Sequence, residues 1–146
     1  DAKEASFRER SAELEPLPGL VDFMEQGRER GMKIALVTNA PEENVEAILP
    51  ALELRNFFDA VVLADDVEAV KPDPAPYRAA LKETGVPADE ALAFEDSVSG
   101  ITSSVAAGIP TVGIASTQDP EKLLGAGAFM TAKDFTDPQL RALISA

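Results

Sequence analysis

Two adjacent carboxylates, Glu95 and Asp96, stand where the apolar run Leu92-Ala-Phe94 gives way to the helix-like Ser97-Val-Ser-Gly-Ile101. In an open α/β sheet, ligands bind outside the carboxyl ends of the strands. A pair of acids at such a point suits a hard cation with oxygen ligands, Mg²⁺ above all. Two other positions share this setting. Thr38-Asn39 closes the strand-like Lys33 to Thr38 and opens a helix pattern. A hydroxyl, an amide and the N–H groups of a helix start make that junction an anion site. Lys71 lies in Lys71-Pro-Asp-Pro74, where the prolines fix φ and stiffen the backbone around it. A point charge held in this way can bind a phosphoryl oxygen and stabilise charge in a transition state. Each position also has a plainer reading: Asp96 or Ser97 as the N-cap of the next helix, Asn39 as another cap, and Lys71 as a solvated surface lysine.

Strand and helix signals alternate with short connections, so the fold class expected is α/β, a Rossmann-like parallel sheet with flanking helices. Leu20, Phe23, Met24 and Gly27 form the stripe of a core-facing helix that ends near Gly31. A helix start at Asn39-Ala-Pro-Glu-Glu43 leads into Val45, Ile48, Leu49 and Leu52 at helical spacing. Ala60-Val-Val-Leu63 reads as a second strand, followed by the acidic turn Asp65-Asp66, for which a solvated role is expected. A helix is predicted over 75–84, a strand over 91–94, and a helix to about Ala107 with Val98, Ile101 and Val105 on its buried side. Pro110 to Ala115 gives a fourth strand. A short helix at 121–124, a weak strand at 128–130 and a terminal helix from Pro138 complete the pattern.

Composition narrows what such a chain can do. Its 146 residues are enough for one well-buried core, and 45% of them are hydrophobic, too many for a disordered chain. Aromatics make up 5%, so the core must be mainly aliphatic, as in helices packed on a buried parallel sheet. A net charge of −13 argues against nucleic acid and against an anionic membrane surface. It leaves room for a small anionic substrate met by a local cation or a metal. The sequence has no cysteine and no histidine, which excludes disulfides, thiolate chemistry, a Ser-His-Asp triad and a histidine metal site. No run reaches membrane-spanning length and the first residues do not resemble a secretory signal, so a soluble cytoplasmic protein is expected.

The order strand-Thr38-Asn39, then Lys71-Pro-Asp-Pro74, then Phe94-Glu-Asp-Ser-Val-Ser-Gly-Ile101 resembles the haloacid dehalogenase-like hydrolase superfamily, and within it the β-phosphoglucomutase-like sugar phosphatases. Pro16-Leu-Pro-Gly-Leu-Val21 looks like the start of that family's core after its cap domain, and the spacing to Ala106-Ala-Gly108 also agrees. Thr38-Asn39 is similar to the family's second motif, Lys71 with its prolines to the third, and Glu95-Asp96 to the fourth. The resemblance implies that Thr38 hydrogen-bonds the transferring phosphoryl group with help from Asn39. It implies that Lys71 neutralises charge on that group, that Asp96 binds Mg²⁺ directly, and that Glu95 does so directly or through water. Phosphoryl transfer is mostly positioning and electrostatic stabilisation of equatorial oxygens, which accords with these roles.

The family's first motif, Asp-x-Asp, supplies the nucleophile and the general acid/base, and no Asp-x-Asp occurs in this sequence. In the family its strand lies between those ending at Thr38 and Glu95, so the resemblance implies a core lacking its N-terminal central strand. We therefore expect residues 1–15 to be the end of a cap-domain helix and residues 16–146 the C-terminal part of the core. The nucleophile would then come from a missing N-terminal segment, and this chain alone would be inactive. The expected activity of the complete protein is Mg²⁺-dependent hydrolysis of a small phosphorylated metabolite, a sugar phosphate, through an aspartyl-phosphate. A phosphomutase of the same fold and a non-catalytic phosphate- or partner-binding module are the alternatives.

Overall fold

The computed structural model describes residues 17–38, 58–63 and 66–145. Five short strands and five helices are described there, joined as an α/β chain: α1 (Leu20–Glu29), β1 (Ala35–Val37), β2 (Ala60–Val62), α2 (Ala75–Thr84), β3 (Ala93–Glu95), α3 (Val98–Ala106), β4 (Thr111–Ile114), α4 (Pro120–Gly125), β5 (Met130–Ala132) and α5 (Pro138–Ile144). A 3₁₀ turn, Ala88–Glu90, leads into β3. All strand pairs are parallel. β1 pairs with β2 in the register Leu36 to Val61, while β3, β4 and β5 form a second sheet in that order, with Glu95 opposite Gly113 and Gly113 opposite Thr131.

Every residue of β4 is buried, as a parallel strand covered on both faces must be. Val112 and Ile114 point to one face, where Phe23 of α1 and Leu140 and Ile144 of α5 close over them. Gly113, between them, faces the other side, and Leu123 of α4 comes so close that a Cβ there would press on it. Phe23, Phe94 and Phe135 pack edge to face and tilted at 5.2 to 5.6 Å between ring centroids, the arrangement aromatic quadrupoles favour. Beside this core, the hydroxyl and then the N–H of Thr136 donate to Asp134, which holds that carboxyl below its usual range.

The two sheets are bridged by helices. On one face Leu20 of α1 packs against the clusters of both sheets. On the other, Tyr77 and Ala80 of α2 join Val37 and Val62 to Ala93 in one cluster. Between β1 and β3 lies an apolar cavity of about 200 Å³, lined by Ile34, Leu36, Leu92, Phe94, Phe23 and Phe135 among others.

Among the described residues, the strands and helices fall where periodicity predicts them, with the ends moved by a few residues. The strand expected over 91–94 is Ala93–Glu95, and the weak strand expected over 128–130 is Met130–Ala132. One face was misread. Ile101 is buried as expected, but Val98 and Val105 are exposed, and α3 buries Gly100, Ser103 and Ser104 beside Ile101. Small residues let the helix approach closely at two points: Gly100 has the Glu95 carboxylate against it, and Ser103 reaches the Lys71 loop. Ser103 donates to the carbonyl of Asp73 at 2.6 Å, and the hydroxyls of Ser104 and Thr111 share a hydrogen bond at 2.6 Å. The helix expected from Asn39 to Leu52 and the cap-domain helix end expected over residues 1–15 lie outside the described residues, as does Asp65. Asp66 is exposed, with its carboxylate accepting the N–H of Leu63. Among the described residues, no helix is long and apolar enough to cross a membrane.

Candidate active site

Four of the five residues singled out from sequence are described: Thr38 at the carboxyl end of β1, Glu95 and Asp96 at that of β3, and Lys71 in the loop between β2 and α2. The fifth, Asn39, lies outside the described residues. Thr38 directly follows β1, is buried, and donates its N–H to Val62 O at 3.0 Å, which extends the parallel ladder by one bond. Glu95 ends β3 and Asp96 follows it, each only 1% exposed. Burying two carboxylates side by side is expensive unless cations or donors meet them.

Lys71 is one such cation, and it is not a solvated lysine. It is 4% exposed, and its Nζ donates to Glu95 Oε2 at 2.6 Å and to the carbonyl of Val37 at 2.8 Å. The ammonium therefore ties the end of β1 to the end of β3, two strands that belong to different sheets. The loop carrying it is anchored at both levels of structure. Asp73 Oδ1 accepts the N–H of Ala75 at 2.9 Å and so shapes the start of α2, while Ser103 of α3 holds the Asp73 carbonyl.

The helix after the acid pair is capped by Ser97, whose Oγ accepts the N–H of Gly100 at 3.0 Å. Capping is thus assigned to Ser97, and Asp96 is not needed for it. Gly100 has a second role that the sequence pattern did not reveal. A Cβ at this position would collide with Oε1 and Cδ of Glu95, so the glycine makes room for the buried carboxylate against the first turn of α3. Gly100→Ala is expected to displace Glu95 and destabilise the fold by about 1–3 kcal/mol, the usual range for overpacking. Urea denaturation checks it, and wild-type stability would show that Glu95 has another place to go.

Tyr77, in the first turn of α2, was also missed. Its hydroxyl donates to Glu95 Oε2 in a short hydrogen bond, and Lys71 Nζ stands 5.6 Å from its ring centroid. The only sequence signal for it is position, one helical turn past the Lys71 loop. Among the described residues no third acidic side chain joins Glu95 and Asp96. Two buried hard-oxygen carboxylates still fit Mg²⁺, which commonly binds through one or two carboxylates, waters and a substrate phosphate.

Parallel strands, acids and a fixed cation at their carboxyl ends, and helices on both faces define an α/β protein with its site at the strand ends. The haloacid dehalogenase-like hydrolase family model matches residues 2–114, and the chain belongs to that family. It is 33% identical over 119 residues to a validoxylamine A 7′-phosphate phosphatase of Streptomyces hygroscopicus, a match covering 82% of this chain and 55% of that protein. A phosphorylated carbohydrates phosphatase of Thermotoga maritima is 34% identical over 122 residues, covering 82% of this chain and 56% of the relative. A crystal structure of a β-phosphoglucomutase-like protein from Thermotoga maritima superposes with a TM-score of 0.78 at 34% identity, over 86% of this chain and 58% of that one. The chain spans about half the length of the curated relatives it matches.

Proposed function

We propose that this chain is the C-terminal part of a Mg²⁺-dependent phosphohydrolase acting on a small phosphomonoester, a sugar phosphate in particular. The observation that carries this reading is the buried Lys71–Glu95 pair, held beside Asp96 and Thr38 at the ends of β1 and β3. A relative named as a phosphorylated carbohydrates phosphatase supports the substrate class. In this reading Thr38, assisted by Asn39, hydrogen-bonds the phosphoryl oxygens, and Lys71 offsets their charge. Asp96 and Glu95 would hold Mg²⁺, which when bound lowers the repulsion between an anionic nucleophile and the phosphate. Donors and cations fixed in advance stabilise charge more effectively than mobile water does.

The nucleophile would be an Asp-x-Asp segment outside this chain. The apolar cavity between β1 and β3 supports that part of the proposal, because an extended apolar strand there would join the two sheets into one. It would also deliver the residues after it to the strand ends where Lys71 stands. Residues 1–15 are proposed to be the end of a cap-domain helix.

The test is phosphate release from a panel of sugar phosphates, with Mg²⁺ or with a chelator, by the chain alone and by the chain combined with an Asp-x-Asp segment. Release is expected from the combination and not from the chain. Product identity separates hydrolysis from mutase chemistry. Release by the chain alone would overturn the missing-nucleophile assignment, and no release from either would overturn the activity. Denaturing mass spectrometry of native material would show directly whether a second polypeptide accompanies the chain.

A further inference from the structure

We infer that Tyr77 is a positioning residue of this site, acting through Glu95 on Lys71; the inference rests on the phosphate-binding reading above. Tyr77 is buried in the cluster formed by Val37, Val62, Ala80, Ala93 and Ile109, and its ring alone would serve that packing. Its hydroxyl does something a phenylalanine could not. It donates to Oε2 of Glu95, the same oxygen that accepts Lys71 Nζ. Two donors from different segments, one in the loop and one on α2, thus converge on a single carboxylate oxygen.

Geometry makes the consequence specific. The Glu95 carboxylate is confined on its other side by Gly100, where there is no space for even a Cβ. With Oε2 fixed by the phenol, the carboxylate cannot turn about its last bond, and the ammonium bonded to it is held in one place. Val37 O and Glu95 together hold the ammonium, so a carboxylate less firmly fixed would let the charge shift between them. A rigidly placed charge binds a phosphoryl oxygen with less ordering to be done at the moment of binding. Hydrogen bonds to ionised groups are also the stronger kind, which is what a clamp requires.

Tyr77 is the only tyrosine in the chain, and there is no tryptophan, so intrinsic emission reports on this one side chain. A phenol bonded to a carboxylate is quenched by it. Tyrosine emission is therefore expected to rise in Glu95→Gln, and in the wild-type chain to change as inorganic phosphate is titrated in with Mg²⁺ present. The second measurement is the affinity for inorganic phosphate, by calorimetry, in Tyr77→Phe. This variant keeps the packing ring, so it is expected to remain folded with a modestly lowered Tm while binding phosphate about three- to tenfold more weakly, within what one lost hydrogen bond to a charged group allows.

A purely structural tyrosine would weaken binding equally in any background. A positioning tyrosine loses its effect once Glu95 can no longer serve as the link, so Tyr77→Phe is expected to change nothing further in Glu95→Gln. Unaltered phosphate affinity in Tyr77→Phe, or the same weakening in both backgrounds, would overturn the inference. Should Glu95→Gln fail to fold, the wild-type emission decides in its place: phosphate binding seen by calorimetry with no change in emission would overturn the inference. No phosphate binding by the wild-type chain would instead sink the functional reading itself.

Discussion

Replacing Asp96 with alanine is expected to abolish Mg²⁺ binding by this chain, measured by calorimetry with Mg²⁺ alone. It is also expected to remove Mg²⁺-dependent phosphate release from the protein carrying its Asp-x-Asp segment. Asp96 is 1% exposed, directly follows β3, and is relieved of capping duty by Ser97. A carboxylate buried this deeply is costly to fold around, and a cation offsets that cost. Glu95 cannot replace it freely, since Lys71 and Tyr77 already occupy its Oε2. Loss of one preorganised charge-stabilising group costs about 10²–10³ in rate, and loss of the metal with it should exceed that. The fold itself should survive, because Asp96→Ala removes a buried charge without cutting into an apolar cluster. Near-wild-type Mg²⁺-dependent turnover in Asp96→Ala would remove Asp96 from the metal site.

Lys71→Met should damage stability and function together, and by more than a surface lysine ever could. The wild-type ammonium pairs with Glu95 at 2.6 Å and bonds Val37 O at 2.8 Å, with both charged side chains fully shielded from solvent. Deleting one member of a buried pair leaves the other uncompensated, which costs about 3–5 kcal/mol. The Val37 carbonyl loses its donor as well, and the ends of β1 and β3 lose their tie. Urea denaturation should register the destabilisation, and phosphate binding should become undetectable by calorimetry. The double variant Lys71→Met/Glu95→Gln supplies the check on cause. If the orphaned carboxylate is responsible, the double variant will be more stable than Lys71→Met alone, since coupled neighbours are not additive. Equal or lower stability would place the damage in lost packing of the lysine stem.

The sequence by itself determined the elements and the chemistry available to them. Leu20, Phe23, Met24 and Gly27 repeat at helical spacing, and Phe23, Met24 and Gly27 are the residues α1 buries. The apolar runs before Thr38 and Glu95 end in polar residues of the right kinds, so both strand ends were legible as candidate sites. Such signals survive in one dimension because strand and helix periods are local, and because Gly, Pro and capping residues act within a few positions.

Only the tertiary structure decided which of these residues meet. Lys71 reaches Val37 across 34 positions and Glu95 across 24, and no local pattern encodes either distance. The same holds for Tyr77, which reads as an ordinary helix residue until α2 is laid against β3. Gly100 looked like one more small residue until the helix start was seen against the Glu95 carboxylate. The misplaced inner face of α3 makes the point in reverse. Hydropathy put Val98 and Val105 inward, whereas the closeness of α3 to β3 and to the Asp73 carbonyl selected Gly100, Ser103 and Ser104. Hydrophobic spacing reports which residues prefer to leave water, but it does not report how much room awaits them. That room, and the partner a buried charge finds in it, are set by how distant segments pack.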